Sequence, residues 1–199
     1  MSQAFLLRWR GFYFKFITNC TYLFYRRRIS WSVIIRKGEN SLISIGEASR
    51  VVEYGKIVLH PGARLIIGEN TSIDRLCEII VEAGSELIIG DNVFVGSHSN
   101  IRVTGKMNIG DNCRIAQFVS LINGNYSFMD KNTLIKDQPY QKGFLVIEDD
   151  VWIGVNATVL SNVKIGRGAV VGAGSLITKD IANYSVVVGN PQKLIKVRE

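Results

Sequence analysis

Histidine is the scarcest chemistry-bearing residue in this chain: 199 residues hold two, His60 and His98, while proline, cysteine, methionine and tryptophan number three each. Two histidines exclude a three-histidine zinc site, and no metal is expected. Cys20, Cys77 and Cys113 are odd in number and lack metal-ligand spacing, so free thiols buried in a reducing compartment are the reading. Long apolar runs are missing as well. Arg8, Arg10 and Lys15 interrupt the one aromatic-rich stretch well short of the about 20 apolar residues that a membrane-crossing helix needs. Nor does a small-residue cleavage site follow a clean apolar core, so no signal peptide is expected. Acid is absent from residues 1–37, which carry eight basic side chains, whereas the remainder holds sixteen basic against seventeen acidic ones. The pI of about 9.4 therefore belongs to the N-terminal segment, and no nucleic-acid surface is expected on the rest.

What the chain has in abundance is aliphatic residues at a fixed interval. Ile147, Ile153, Val159, Ile165, Val171 and Ile177 follow one another every six residues without a slip. Neither a helix nor an alternating strand produces that period. Four places after each stand Val151, Ala157, Val163, Ala169, Ser175 and Ile181, mostly small or β-branched, which makes a second inward column. Cys77 and Cys113 fall in this column further up the chain. Gly154, Gly166 and Gly172 directly follow an aliphatic, and the expectation is that each supplies an unusual backbone angle for a turn. A hexapeptide repeat of this kind marks a parallel β-helix, an all-β fold.

Coil starts at Ile45, Ile67, Ile89, Ile109, Ile147 and Ile165 predict about six coils. Short insertions at 59–63 and 81–86 lengthen the early ones. Asn70, Asn92, Asn112 and Asp150 each stand three residues after a coil start, where short polar side chains serve tight corners. The interval from Ile109 to Ile147 is 38 residues against 18 for a plain coil, so a long loop, 123–144, is ejected there. A loop of that length in a compact repeat marks a working segment.

Residues 1–37 form a separate basic, aromatic segment ahead of a repeat domain at 38–199. Phe5, Trp9, Phe12, Phe16, Cys20 and Leu23 fall at helical spacing, which predicts one or two amphipathic helices. Two readings stand for them: packing on the end of the repeat or on a partner subunit, and lying in the membrane interface with Arg26, Arg27 and Arg28 facing anionic lipid.

The motifs VWIG at 151–154, IGRGAVVGAGSLITKDI at 165–181 and GNPQK at 189–193 stand in the order and spacing of the hexapeptide-repeat acyltransferases. The chain resembles in particular the sugar and polysaccharide O-acetyltransferases related to the galactoside, maltose and colanic-acid acetyltransferases. That resemblance implies a left-handed β-helix of triangular section, a homotrimer, a cytoplasmic enzyme and an acetyl-CoA site between neighbouring subunits. The acceptor it implies is a sugar of a surface polysaccharide or glycolipid precursor. Ala173, Thr178 and Lys179 would line the pantetheine and phosphate path, and Lys193 and Lys196 would meet the nucleotide phosphates. The ejected loop would wall the acceptor pocket, with Asn123 and Asn125 at the substrate. Trp152 is read as packing.

In the resembled family a histidine base stands five residues beyond the aliphatic matched here by Leu121, and in this chain that position is Tyr126. A free phenol ionises near about pH 10 and is a weak resting base for a hydroxyl. Three alternatives follow. His98, a corner residue of the preceding coil, is a possible replacement base. An amino sugar, which reaches its neutral nucleophilic form easily, is a possible acceptor. A catalytically silent β-helix that binds a partner, membrane or coenzyme is the third. His60, in the insertion VLHPG, is read as a surface residue.

Overall fold

An inward aliphatic every six residues can stack on its predecessor only if the chain changes direction between each pair. The computed structural model, which describes residues 29–199, shows that solution: short strands joined by tight corners. The helices expected within residues 1–28, and Cys20, lie outside the described residues. Three sheets result. The first face stacks Ile34–Lys37, Lys56–Leu59, Glu78–Val81, Asn100–Val103, Ser120–Ile122, Thr158–Val159 and Leu176–Ile177. The second stacks Leu42–Ile45, Arg64–Ile67, Glu86–Ile89, Gly105–Ile109, Tyr140–Ile147 and Val163–Ile165, and a bridge from Ile165 to Ile181 closes it. The third runs from Arg50–Val51 through Val170–Val171 to Ser185–Val188, against which Lys193–Val197 turns back antiparallel as the edge.

This is a parallel β-helix with seven rungs on the first and second faces and, with the bridge from Ile29 to Val51, eight on the third, a coil more than the repeat from Ile45 indicated. Ile35 at one end and Ile181 and Val187 at the other complete the additional coil. Ile34–Lys37 pairs in register with Lys56–Leu59, so the ladder begins inside the stretch assigned above to the N-terminal segment. The inward columns fill the prism: Ile57, Ile79, Ile101 and Leu121, for instance, are each 1% exposed or less. A fully buried aliphatic side chain contributes about 1.5–3 kcal/mol.

Two corners follow different residue rules. Between the second and third faces the left-handed corner position is held by Ala48, then by Asn70, Asn92, Asn112 and Asp150 (φ +52° to +60°) where the spacing of short polar residues predicted a corner, then by Gly168 and, on the last coil, by Tyr184 (φ +58°). Between the third and first faces the equivalent positions are Tyr54, Leu76, His98 and Phe118 (φ +58° to +60°), followed by Asn156 and Gly174. That conformation costs an ordinary L-residue roughly 1–2 kcal/mol, so tyrosine, leucine and phenylalanine are poor choices for it on backbone grounds.

The glycines after inward aliphatics have another cause than the one expected. Gly154, Gly166 and Gly172 do not adopt positive φ; they are there for space. A methyl on Gly166 would lie 2.3 Å from Asn183 Oδ1, and one on Gly154 would lie 2.6 Å from the Ala173 amide nitrogen. At the Ile-Gly corners the space admits an aspartate from the next coil. Asp91 Oδ1 accepts from the Glu69 amide (2.7 Å), Asp111 Oδ1 from Asp91 (2.8 Å) and Asp149 Oδ1 from Asp111 (3.0 Å).

The loop predicted between Leu121 and Ile147 is ejected, and it is an ordered arm. Gly124–Tyr126 pairs antiparallel with the start of Tyr140–Ile147, and the ladder resumes where Gly143 pairs with Gly105. A 3-10 turn at Ile135–Asp137 sits in the arm's outer part. Gln138 ties that part together, its Nε2 donating to the Asp130 carbonyl (2.9 Å) and the Thr133 carbonyl (2.8 Å).

The two described cysteines are buried in the core, as their place in the repeat indicated. Burial pushes both thiols up from 9.0 to about 11, and the bonds that Cys77 Sγ donates to the Gly96 carbonyl and Cys113 Sγ to that of Glu148, both at 3.1 Å, suit the same neutral form.

Two predictions follow from this packing. Gly68→Ala puts a methyl 2.2 Å from Asp91 Oδ1 and 2.7 Å from the Gly90 carbonyl carbon, and it should cost about 1–3 kcal/mol in a denaturant titration. Gly84→Ala, at φ +62° but with nothing within 4 Å of its methyl, should cost only about 1 kcal/mol. Equal losses would show that close approach is not what the Ile-Gly corners require. In a Cys20→Ser variant, the native protein should resist thiol titration at pH 8 and react fully once unfolded. Because both folded-state values are raised, the neutral thiols' contribution to stability is complete below about pH 9 and is lost as pH rises through about 11.

Candidate functional site

The arm leaves the β-helix through a single residue. Asn123 is 0% exposed, and its side chain replaces the missing rung: Oδ1 accepts from the Thr104 amide (2.6 Å), while Nδ2 donates to the carbonyls of Lys106 (2.8 Å) and Gly143 (3.3 Å). With its amide fully engaged, Asn123 holds the arm's root and has no group left for a substrate. Asn125 and Tyr126, on the first strand of the arm, are exposed; Asn125 stands opposite Gln141. Tyr126 is opposite Tyr140, and their rings meet edge to face at 4.8 Å.

On the same edge of the first face, further along the stack, lie Thr178 and Lys179. Leu121, Val159 and Ile177 are consecutive rungs, so the arm's root stands two rungs, roughly 10 Å, from Thr178. The amides of Thr178 and Lys179 both donate to Gln192 Oε1 (2.8 and 3.0 Å), and Gln192 Nε2 donates to the Lys179 carbonyl (3.1 Å). Gln192 was not singled out from the sequence, although the motif GNPQK contains it. Its clamp fixes the start of the C-terminal strand, where Lys193 pairs with Val188 and Lys196 with Val186, both lysines exposed. Arg198 latches the strand's far end, donating to Asp150 Oδ2 (3.1 Å) and the Gly168 carbonyl (2.7 Å). The chain thus presents ammonium groups on a braced hairpin directly after the last rung.

Ala173 sits exposed on the opposite edge of the first face, at the corner between the third and first faces. His98 is on that same corner three rungs away, stacked on Phe118 with centroids 4.8 Å apart and an interplanar angle of 8°. Tyr126 and His98 therefore occupy opposite edges of one face, and the single chain does not bring them together. His60 is a surface residue 3.5 Å from Glu82 Oε2, in keeping with its reading as a corner insertion. Trp152 corrects an expectation: it points outward from the third face and is 56% exposed, because it occupies the position before the inward Ile153.

The remaining candidate groups are occupied. The Thr133 hydroxyl and the Asn132 amide hold the Asp130 carboxyl below its usual range, which makes it a turn carboxylate within the arm. The hydrogen bond from Lys164 does the same for Glu148. Among the described residues no three metal-ligating side chains gather, and no helix is long and apolar enough to cross a membrane.

Comparison with known proteins finds similar repeats in parts of the same ladder. The profile described as bacterial transferase hexapeptide (six repeats) matches residues 145–179, and that of the hexapeptide repeat of succinyl-transferase matches 86–116. A chloramphenicol acetyltransferase of Klebsiella aerogenes is 55% identical over 60 residues, a stretch that covers 30% of this chain and 29% of that protein. The polySia specific acetyltransferase NeuO superposes with a TM-score of 0.58 at 27% identity, over 83% of this chain and 87% of that one. A mutant of AntD, an N-acyltransferase from Bacillus cereus solved with dTDP-4-amino-4,6-dideoxyglucose and coenzyme A, superposes with a TM-score of 0.67 at 23% identity, over 81% and 86% of the two chains. The two profiles fall on either side of the arm, on rungs that the structure shows to be one continuous ladder, so the chain carries the hexapeptide repeat of these transferases over both stretches and spans under a third of the length of the curated relatives it matches.

Proposed function

We propose that this protein transfers an acetyl group from acetyl-CoA to a sugar, a unit of a surface polysaccharide or of a glycolipid precursor. The observation that carries this reading is the braced C-terminal end: Gln192 clamps Thr178 and Lys179 while Lys193 and Lys196 follow on an exposed strand. A polyanionic coenzyme suits such a cluster of ammonium groups. The similarity to NeuO, named for an acetyltransferase activity on polySia, and to AntD, solved with coenzyme A and an amino sugar, supports it. In the transfer the acceptor's oxygen or nitrogen forms a bond to the thioester carbon, the C–S bond breaks, and the thiol leaves as the acceptor loses a proton. Tyr126 stands where the family holds its base, and a phenol limits that proton loss for a hydroxyl more than for an amine. A trimer that shares the site between subunits and a cytoplasmic location belong to the same reading.

Residues 1–37 add a second part to it. Their basic and aromatic composition supports peripheral attachment to an anionic membrane, which would bring the enzyme to lipid-linked acceptors.

Three experiments test these readings. Calorimetry should show acetyl-CoA binding that Lys193→Ala and Lys196→Ala each weaken by about tenfold or less, since both lysines are solvent-screened. Turnover on hydroxyl sugars should be slow, and Tyr126→His should raise it by roughly 100-fold, the lower end of what a positioned base contributes. If the native enzyme is fast on hydroxyls and His98→Ala abolishes that while Tyr126→His does nothing, His98 is the base; if no coenzyme binds, the silent scaffold is correct. For the membrane, the full chain should sediment with phosphatidylserine vesicles at low salt, and a version starting at Ile29, which keeps the first rung, should not. Equal partitioning of the two, or indifference to salt, would remove that part.

A further inference from the structure

The corner between the third and first faces changes character at one step. Its first four left-handed positions hold Tyr54, Leu76, His98 and Phe118, and its last two hold Asn156 and Gly174. Phe118 is the last large residue before the step. It is 54% exposed at φ +58°, a conformation that asparagine fills at the next rung without steric cost. Backbone preference gives no reason for phenylalanine here; Tyr54, Leu76 and Tyr184 hold the same conformation, and what sets Phe118 apart is that its ring is stacked, half-exposed and placed at the step.

The surroundings describe what that function requires. One face of the Phe118 ring is covered by the His98 ring stacked on it, which fixes the ring's plane across the corner. On the next two rungs the same corner position holds Asn156 and then Gly174, where an added methyl would meet nothing within 4 Å. The stretch beneath is lined by small residues, Gly154, Gly172 and Ala173. Two rungs separate Phe118 from Gly174, roughly 10 Å, which leaves room for one ring beside Phe118. Gln117 and Asn156 flank the step, both exposed and without side-chain hydrogen bonds in the described chain. An aromatic ledge with free amide side chains at its rim matches a sugar ring, which has an apolar C–H face and a hydroxyl rim. Ala173, which the family resemblance assigns to the coenzyme path, borders the same notch.

We propose that the notch between Phe118 and Gly174 is the acceptor subsite, in which a sugar ring stacks on the free face of Phe118 and hydrogen-bonds Gln117 and Asn156. His98 acts there through Phe118, as the ring that holds the ledge. The proposal rests on the sugar acetyltransferase reading and deepens it. It gives the substrate a place on the corner that carries Ala173, across the first face from this chain's own arm, so that the Tyr126 that meets the acceptor comes from a neighbouring subunit of the proposed trimer.

The test uses the full chain and reads sugar binding separately from the coenzyme. Saturation-transfer NMR at millimolar sugar would be run without coenzyme on a sialic acid hexamer, dTDP-4-amino-4,6-dideoxyglucose and a panel of common hexoses and amino sugars. The native protein should bind at least one of them. Phe118→Asn should keep or raise the melting temperature, since asparagine suits the backbone, yet weaken that sugar at least tenfold with the acetyl-CoA affinity unchanged. Phe118→Tyr should retain the binding, Asn156→Tyr should block it by filling the notch, and Tyr54→Asn, three rungs off, should change nothing. No sugar signal from any member of the panel, or equal binding by native protein and Phe118→Asn, overturns the proposal. Dissociation of an oligomer by Phe118→Asn also overturns it, since the ledge would then be a contact between copies. Sugar binding that depends on Phe118 in a protein that binds no acetyl-CoA would uphold the notch and defeat the acetyltransferase reading.

Discussion

Everything in this molecule depends on backbone stacked directly upon backbone. In a parallel β-helix each coil takes its hydrogen bonds from the coil before and gives them to the coil after, so the amide of Lys56 bonds to the Cys77 carbonyl and that of Glu78 to Ser99. Corners must stack as closely as strands. A side chain at the wrong corner position strikes the next coil's main chain, which is why glycine recurs after the inward aliphatics and why the aspartates beside them can bond outward along the axis. The sixfold period is the sequence form of that requirement.

The requirement is relaxed at one corner only. Between consecutive inward residues of the second, third and first faces the spacing stays at six from Ile45 to Ile177, whereas the passage from the first face to the second varies widely. Ile57 to Ile67 takes ten residues, Ile101 to Ile109 eight, Leu121 to Ile147 twenty-six and Val159 to Ile165 six. An excursion is tolerated there because its ends can be returned to register. Asn123 does this for the longest one, supplying to Thr104 and Lys106 the bonds that a continuous rung would have made. A buried amide of this kind is costly to leave unpaired, and here its bonding capacity toward the ladder is used.

This explains which parts were legible in the sequence. The fold was, because a period of six has no other simple source, and so was the arm, because its surplus length cannot stack. The first rung was missed: Ile34–Lys37 reads IIRK, too short to show a period and placed in a basic segment that invited a different account. Glycine's two uses, conformational freedom and space, leave the same letter, so Gly84 at positive φ and Gly166 against Asn183 could be separated only by coordinates. Asn123 was read as a substrate contact for a similar reason. An asparagine at a loop's edge serves a ladder or a ligand equally well, and only its burial decides. Gln192 depends on a contact 13 residues back in the chain at Lys179, which no local motif encodes.

The two edges of the first face then divide the work by the freedom each has. On the arm's edge the chain can change length, so that edge can acquire walls, and Tyr126 and Tyr140 rise from it as a paired aromatic surface. On the other edge the length is fixed at six, and variation is limited to which side chain occupies a left-handed position. There the chain places Phe118 and His98 against backbone preference and then drops to Asn156 and Gly174. Local strain at constant chain length is the one means that edge has of making a concavity. A shelf built that way sits on a rung bonded on both sides, so its position is set by the ladder rather than by a loop. That rigidity is what an acceptor subsite needs if a transferred group is to meet it in one orientation.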